Sequence, residues 1–434
     1  MPLLRFIFLL VSSGLLTVSA FGQAANYGSP YSRFGLGDQQ PFALAQHRAM
    51  GTATIAMFDS VALNLANPAS LSALRLTAIE FGGFGQVSRL QTNAASQYRS
   101  NINFGYLMFG FPLTKRWGTA IGFQPYAFTN YNITGRVDST FIGWREEFQG
   151  KGGINQLTWA NGVDLGKGFH LGASMHFLFG DISQERRLLF DYPDSLYFLS
   201  LRVTDKVRVA DLQFSLALQY RKDWTTGTGK RDRRFLALGV TADVPGNLSA
   251  TSDFVADRIR LVGSRVVVLD TVSNQSGIRG NINMPLAVGF GVQLGVHNWW
   301  QWVAEARYTQ WSSFSQFNRP DSLVNSIFVA SGFQYIPKYD ATGDNIFFKT
   351  LRYRAGFKYN SGFLALRGEQ ISELGMTFGV GIPVKRQFSM PAVNLAVEVG
   401  RRGSLNNGLV RESYTRVTLG FTLNDRWFVK RKYD

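Results

Sequence analysis

Phe169-His170-Leu171-Gly172-Ala173-Ser174-Met175-His176-Phe177-Leu178-Phe179-Gly180 puts Phe169, Leu171, Ala173, Met175, Phe177 and Phe179 on one face of an extended chain. His170, Gly172, Ser174, His176 and Gly180 fall on the other, because successive side chains of a strand point to opposite sides. One face is oily and the other small or polar. The pattern recurs from Leu157 to the end of the chain. Leu212, Phe214, Leu216, Leu218 and Tyr220 oppose Gln213, Ser215, Ala217, Gln219 and Arg221. Leu286, Val288, Phe290, Val292, Leu294 and Val296 oppose Ala287, Gly289, Gly291 and Gln293, and Val417, Leu419, Phe421 and Leu423 oppose Thr418, Gly420 and Thr422. A soluble β-sandwich alternates too, so further features must place the fold.

Two features do. The polar faces carry charge, with Glu305 and Arg307 opposite Trp302, Ala304, Ala306 and Tyr308, and Arg352, Arg354 and Lys358 opposite Tyr353, Ala355, Phe357 and Tyr359. That suits a hydrated lumen. At the N-terminus, Arg5 precedes an apolar run from Phe6 to Val18, followed by Ser19, Ala20 and Gly22. This is the pattern of a secretory signal over residues 1–22, cleaved to leave Gln23 first; a membrane anchor is the rival, but the run is short for one. No later apolar run has spanning length, and strands cross hydrocarbon only as a closed barrel. The expected fold is an all-β transmembrane antiparallel barrel in a Gram-negative outer membrane.

Composition agrees. There is no cysteine among 434 residues, which removes disulfides, thiolate metal sites and cysteine nucleophiles. Net charge is +16, from 45 basic and 29 acidic residues, yet the export signal separates the protein from nucleic acid. The blocks Lys230, Arg231, Arg233, Arg234 and Lys430, Arg431, Lys432 flank strand ends, where lipid phosphates or lipopolysaccharide would meet them. No cofactor is implied.

Turn parity gives a strand count. Short turns at Leu113 to Trp117, Leu165 to Gly168, Val296 to Trp299 and Val384 to Pro391 belong at the periplasmic rim, and long connections near 89–98, 134–151, 183–205, 246–276, 313–325, 361–369 and 404–411 outside. About fourteen strands satisfy that parity, from 76–88 to 412–424, with one placed at 277–296; sixteen is the alternative. The strand-like segment Phe254 to Asp270 is then an external hairpin. Trp117, Trp299, Trp300 and Trp427 lie beside rim turns, as an aromatic girdle would.

Residues 23–75 lack the alternation, and the barrel occupies 76–434. This opening contains Tyr31-Ser32-Arg33-Phe34-Gly35-Leu36-Gly37-Asp38, Arg48-Ala49-Met50-Gly51-Thr52-Ala53 and Ala66-Asn67-Pro68-Ala69-Ser70-Leu71. A polar tail would be low in complexity. Here Phe34, Leu36, Phe42, Met50, Ile55, Met57 and Leu63 mix with small residues, as in a hatch or plug inside a lumen.

That order, a plug-like opening ending in Asn67-Pro68-Ala69 and then about fourteen strands, resembles the FadL-type outer-membrane transporters of long-chain fatty acids and other hydrophobic compounds. Gly152-Gly153-Ile154-Asn155, Met284-Pro285 and Tyr308-Thr309-Gln310-Trp311-Ser312-Ser313-Phe314 add to it, whereas the Tyr31 to Asp38 motif resembles an uncharacterised subgroup. The resemblance implies a monomer that releases a hydrophobic ligand sideways, through a kink in the third strand, once the hatch moves. Arg33, Gly35, Gly37, Asn67, Pro68 and Ala69 would mark the hatch. In the strand from Gly118 to Phe128, Pro125 cannot donate to the ladder, so Phe123, Gln124 and Pro125 would frame the gate; a harmless bulge is the alternative. Phe190, Tyr192, Tyr197 and Phe198 crowd an external connection that could capture ligand or pack on 246–276.

Catalysis fits poorly. Of four histidines, His47, His170, His176 and His297, the pair His170 and His176 shares a face with Ser174, but residues two apart on a strand are neighbours by geometry and no orienting acid is apparent. The chain is expected not to be an enzyme. Uptake of hydrophobic small molecules leads. A structural or secretion-associated scaffold with a surface-protein partner is the alternative, and a general porin is disfavoured by the hatch.

Overall fold

The computed structural model describes residues 28–137, 143–190, 199–227, 229, 232–263, 265–339, 346–384, 391–425 and 427. The segment read as a signal and most of the capture connection, with Tyr192, Tyr197 and Phe198, lie outside them.

Fourteen strands close on themselves. They are β1 (Thr77–Gln91), β2 (Ser96–Pro112), β3 (Trp117–Phe128), β4 (Trp144–Gly166), β5 (Phe169–Phe190), β6 (Ser200–Thr225) and β7 (Arg233–Asp243), followed by β8 (Ala287–Val296), β9 (Trp300–Thr309), β10 (Ser326–Tyr335), β11 (Arg352–Asn360), β12 (Glu373–Pro383), β13 (Ala392–Arg402) and β14 (Arg411–Asp425). Each pairs antiparallel with the next, and β14 returns to β1 from Thr77↔Asp425 to Gln91↔Arg411. Closure pairs the strands around the ring, and this is what lets them span hydrocarbon.

Alternation sets the two faces. On β6, Leu212, Phe214, Leu216 and Leu218 are 41–53% exposed, while Ser215 and Gln219 are buried. An apolar exterior around a closed antiparallel barrel is matched to lipid, and the protein is an outer-membrane barrel. Trp117 and Trp427 are exposed near the periplasmic ends.

The long connections differ from expectation. Crossing takes ~9–11 tilted residues, yet β4, β5 and β6 have 23, 22 and 26. Their outer halves therefore continue as sheet above the membrane. The described residues within 134–151 and 183–205 are largely strand for that reason. Gly246–Val262 pairs with the upper part of β6 and with Arg265–Met284, so the external hairpin is longer than Phe254 to Asp270. The strand expected at 277–296 is two: residues up to Met284 belong to the hairpin, and β8 begins at Ala287 after Met284-Pro285. Pro285 cannot donate to a ladder, and the break falls there.

The lumen is filled rather than simply hydrated. Residues 28–74 run through it from the outer end to the periplasmic end as turns, two 3-10 turns (Pro30–Arg33 and Pro68–Ala73), a two-residue strand (Asp38–Gln39) and one short helix (Ala45–Arg48), and most are buried. The small residues on the inner faces seat this backbone. A Cβ at Gly172 would collide with Pro68 and Ala69, and one at Gly356 with Met50 and Gly51. Glycine there is a matter of close approach.

Candidate functional site

Interior carboxylates and amides hold the N-terminal segment. Glu305 accepts from the backbone N–H of Thr54 at 2.6 Å and of Ile55 at 2.7 Å. Glu80 accepts from Leu63 N–H at 2.6 Å, Thr377 Oγ1 from Gly51 N–H at 2.8 Å, and Gln219 donates to Ala56 C=O at 2.8 Å. A carboxylate accepting two N–H bonds is a strong fixture in a low-dielectric interior. His47 sits fully inside; burial, helped by the nearby Arg354 guanidinium, pushes its imidazole down to about 3, so it is neutral.

The two motifs expected in the hatch mark opposite ends of the segment. At the outer end Arg33 lies 4.3 Å over the Phe148 ring and its carbonyl accepts from Gln184. Gly35, at φ +58°, donates to Asp321 and accepts from Gln316, and Gly37, at φ +100°, lies where a Cβ would strike Phe128 C=O. At the periplasmic end Asn67 caps the 3-10 turn by accepting from Ala69 N–H at 3.0 Å and donates to Ile55 C=O. Pro68 and Ala69 rest on Gly162 and Gly172.

The wall departs from regular pairing between β2 and β3. β2 and β3 are paired only from Pro112↔Gly118 to Leu107↔Phe123. Above Phe123 they part, while β3 continues beside β4 through a register shift between Pro125 and Ala127. Since the β4 edge is taken, the vacated edge of β3 receives Asp38–Gln39 from the lumen segment, with Asp38↔Phe128 and Gln39↔Ala127. Gln40 N–H extends this ladder to Tyr126 C=O at 2.9 Å, and Arg402 fixes Asp38 at 2.7 Å. Of the residues expected to frame a gate, Phe123 is the last paired position facing lipid, Gln124 lines a central chamber of ≈ 300 Å³, and Pro125 precedes the shift.

A second irregularity escaped sequence reading. β2 carries a bulge at Gly105, opposite the Gly82/Gly83 shift in β1. A bulge exchanges the two faces of the strand beyond it. Phe104 and Ile102 are thereby turned to lipid, 46% and 68% exposed, and Asn103 and Asn101 line the opening. The available signal is the run Asn101-Ile102-Asn103-Phe104, whose apolar positions are out of phase with the lipid-facing Leu107 and Phe109.

Other expected sites resolve differently. Phe190 ends β5 opposite Trp144 rather than lying in a loop. His170 Nδ1 is 2.8 Å from Ser72 Oγ of the lumen segment, and His176 contacts Thr158 and Ser215, while Ser174 Oγ has no hydrogen-bond partner among the described residues. These three form no nucleophile–base pair. At the periplasmic mouth a cavity of ≈ 540 Å³ is lined by Arg75, Arg221, Arg233 and Arg352 with Trp299 and Trp300.

The family model described as BamG matches residues 4–434. No curated protein sequence matches the chain. Among solved structures, the Ralstonia pickettii toluene transporter TbuX is similar at 14% identity and TM-score 0.56, covering 91% of this chain and 100% of its own. A Pseudomonas aeruginosa FadL homologue aligns at 10% identity and TM-score 0.58, over 90% and 99%. The Pseudomonas putida toluene transporter TodX aligns at 16% and 0.54, over 91% and 100%. At these identities the likeness is one of fold.

Proposed function

The chain belongs to the BamG family, a FadL-like family, and from its geometry we propose that it admits hydrophobic small molecules through the outer membrane by a lateral route. The observation carrying this reading is the parting of β2 from β3 above Leu107↔Phe123 in an otherwise closed wall, next to a strand of the lumen segment. Residues 28–74 act as the hatch, and Phe123, Gln124 and Pro125 frame the gate. Fold similarity to two toluene transporters and a FadL homologue supports the ligand class.

The test uses the absence of cysteine. Gln39→Cys with Ala127→Cys, register partners between hatch and β3, locks the two together on oxidation. Uptake of radiolabelled toluene and oleate by cells carrying the protein is expected to fall on oxidation and recover with reductant. Uptake indifferent to the lock, or equal to that of cells without the protein, sinks the proposal.

One observation favours a second reading, a surface scaffold. Arg265–Met284 pairs on one side with Gly246–Val262 and, among the described residues, on the other only at Ile282 and Asn283, with Val267, Val268, Leu269 and Val272 exposed. A long free edge of this kind is a place for another chain to add. Stoichiometric co-purification of a surface protein, lost on Val268→Lys, would favour it.

A further inference from the structure

The opening between β2 and β3 is not an oily hole. A cavity of ≈ 280 Å³ lies behind it, lined by Asn101, Asn103, Thr129 and Glu412 with the rings of Phe84 and Phe128. Three lining atoms, Asn101 Oδ1, Thr129 Oγ1 and Glu412 Oε2, are buried with no hydrogen-bond partner among the described residues. Thr129 and Glu412 are 1% and 4% exposed. Buried acceptors left unpaired are costly, so their clustering marks a place for a hydrogen-bond donor.

The other charged residues of the lining are Asp38, Arg99, Lys151 and Arg416, of which Lys151 is exposed and Arg99 Nη1 donates to Gly28 C=O at 2.9 Å. Arg416 Nε donates to Gln86 at 2.9 Å, and Asp38 is held by Arg402 at 2.7 Å. That leaves neutral donors, hydroxyl groups above all, as the complement of the lining. Directly outside, the Gly105 bulge has turned Ile102 and Phe104 to the lipid. The site is polar within and apolar at its mouth, and the two halves are one or two residues apart on the same strand.

We infer that this opening holds a glycosyl amphiphile, with a sugar head in the cavity and an alkyl tail along Ile102 and Phe104. The volume lies at the low end of small-molecule pockets, ~300–1,000 Å³, and suits one or two sugar rings. Phe128 supplies apolar surface for a ring face, the Phe84 ring being stacked by Arg416 at 4.9 Å. This deepens the lateral route and rests on it for transport, but the binding site stands on the cavity alone.

The test measures binding by native mass spectrometry to the full chain in lipid nanodiscs, with dodecyl maltoside, free maltose and dodecanoate as probes. Dodecyl maltoside is expected to bind tightest. Thr129→Val, which keeps side-chain volume, should weaken it by about three- to tenfold, and Asn101→Leu similarly, with dodecanoate unchanged. Dodecanoate binding as tightly as the glycoside, maltose binding as tightly as dodecyl maltoside, or both variants retaining wild-type affinity would each overturn the assignment. Toluene and oleate uptake that responds to the hatch lock, together with failure of dodecyl maltoside to bind, would overturn the sugar site and leave the lateral route standing. Glycoside binding with uptake indifferent to the lock would do the reverse.

Discussion

The rings of Phe104 on β2 and Phe123 on β3 lie 5.7 Å apart between centroids, at the level where the ladder between their strands ends. They close the base of the opening on its lipid side, and Phe123 continues outward to Phe179 at 6.4 Å. An aromatic pair of this kind is worth ~0.5–1.5 kcal/mol beyond its buried area. A double-mutant cycle of Phe104→Ala and Phe123→Ala, read by urea unfolding in lipid vesicles, should return a coupling of that size. Additive losses would mean that the rings do not support each other.

Glycine at position 172 is required by the backbone of Pro68 and Ala69. Gly172→Leu should leave the barrel intact by heat-modifiable electrophoretic mobility, yet unseat residues 28–74. Planar-bilayer conductance should rise and protease should reach the segment. A variant as closed and as resistant as wild type would show that the seat can yield.

Glu305 holds two N–H groups at once. Hydrogen bonds to a charged group contribute ~1.5–3 kcal/mol each, so losing both in Glu305→Ala should weaken local docking by about 3–6 kcal/mol. Hydrogen exchange at Thr54 and Ile55 should accelerate accordingly, whereas Glu305→Gln, which keeps an acceptor, should fall between. Unchanged exchange in the alanine variant would contradict the anchor.

Acid should loosen the segment. His47 titrates near 6.5 when free but is pushed to about 3 by burial in the docked state. The undocked state therefore binds the proton more readily, and docking is unaffected above about pH 6.5 and weakens progressively as pH falls from there toward 3. Conductance recorded from pH 7.5 to 4.5 should rise on the acid side, and His47→Leu should flatten that rise. An identical acid response in the variant would assign it to other groups.

Much of this architecture is written in the alternation. Leu212 to Tyr220 or Val417 to Leu423 cannot bury both faces, so strands and a two-sided wall follow from side-chain geometry. Turn parity then placed Phe254 to Asp270 outside the ring. The glycines of the inner face, Gly172 among them, were legible as small and misread as companions of water, because a sequence does not say what a small residue makes room for. The Gly105 bulge was illegible for a different reason: one unpaired residue shifts phase without changing composition. Where β4, β5 and β6 leave the membrane was equally silent, since an extended chain alternates in water as in lipid.

The edge of β3 above Phe123 has two claimants. Asp38 and Gln39 occupy it now, and it is the same edge along which β2 is already zipped from Gly118 to Phe123. A backbone edge can serve one ladder at a time. The hatch strand caps the amides of β3 that β2 leaves unpaired, and its departure bares them beside the lateral opening. A single row of amides thus couples the plug to the side wall: whatever draws the hatch inward also frees the edge beside the opening.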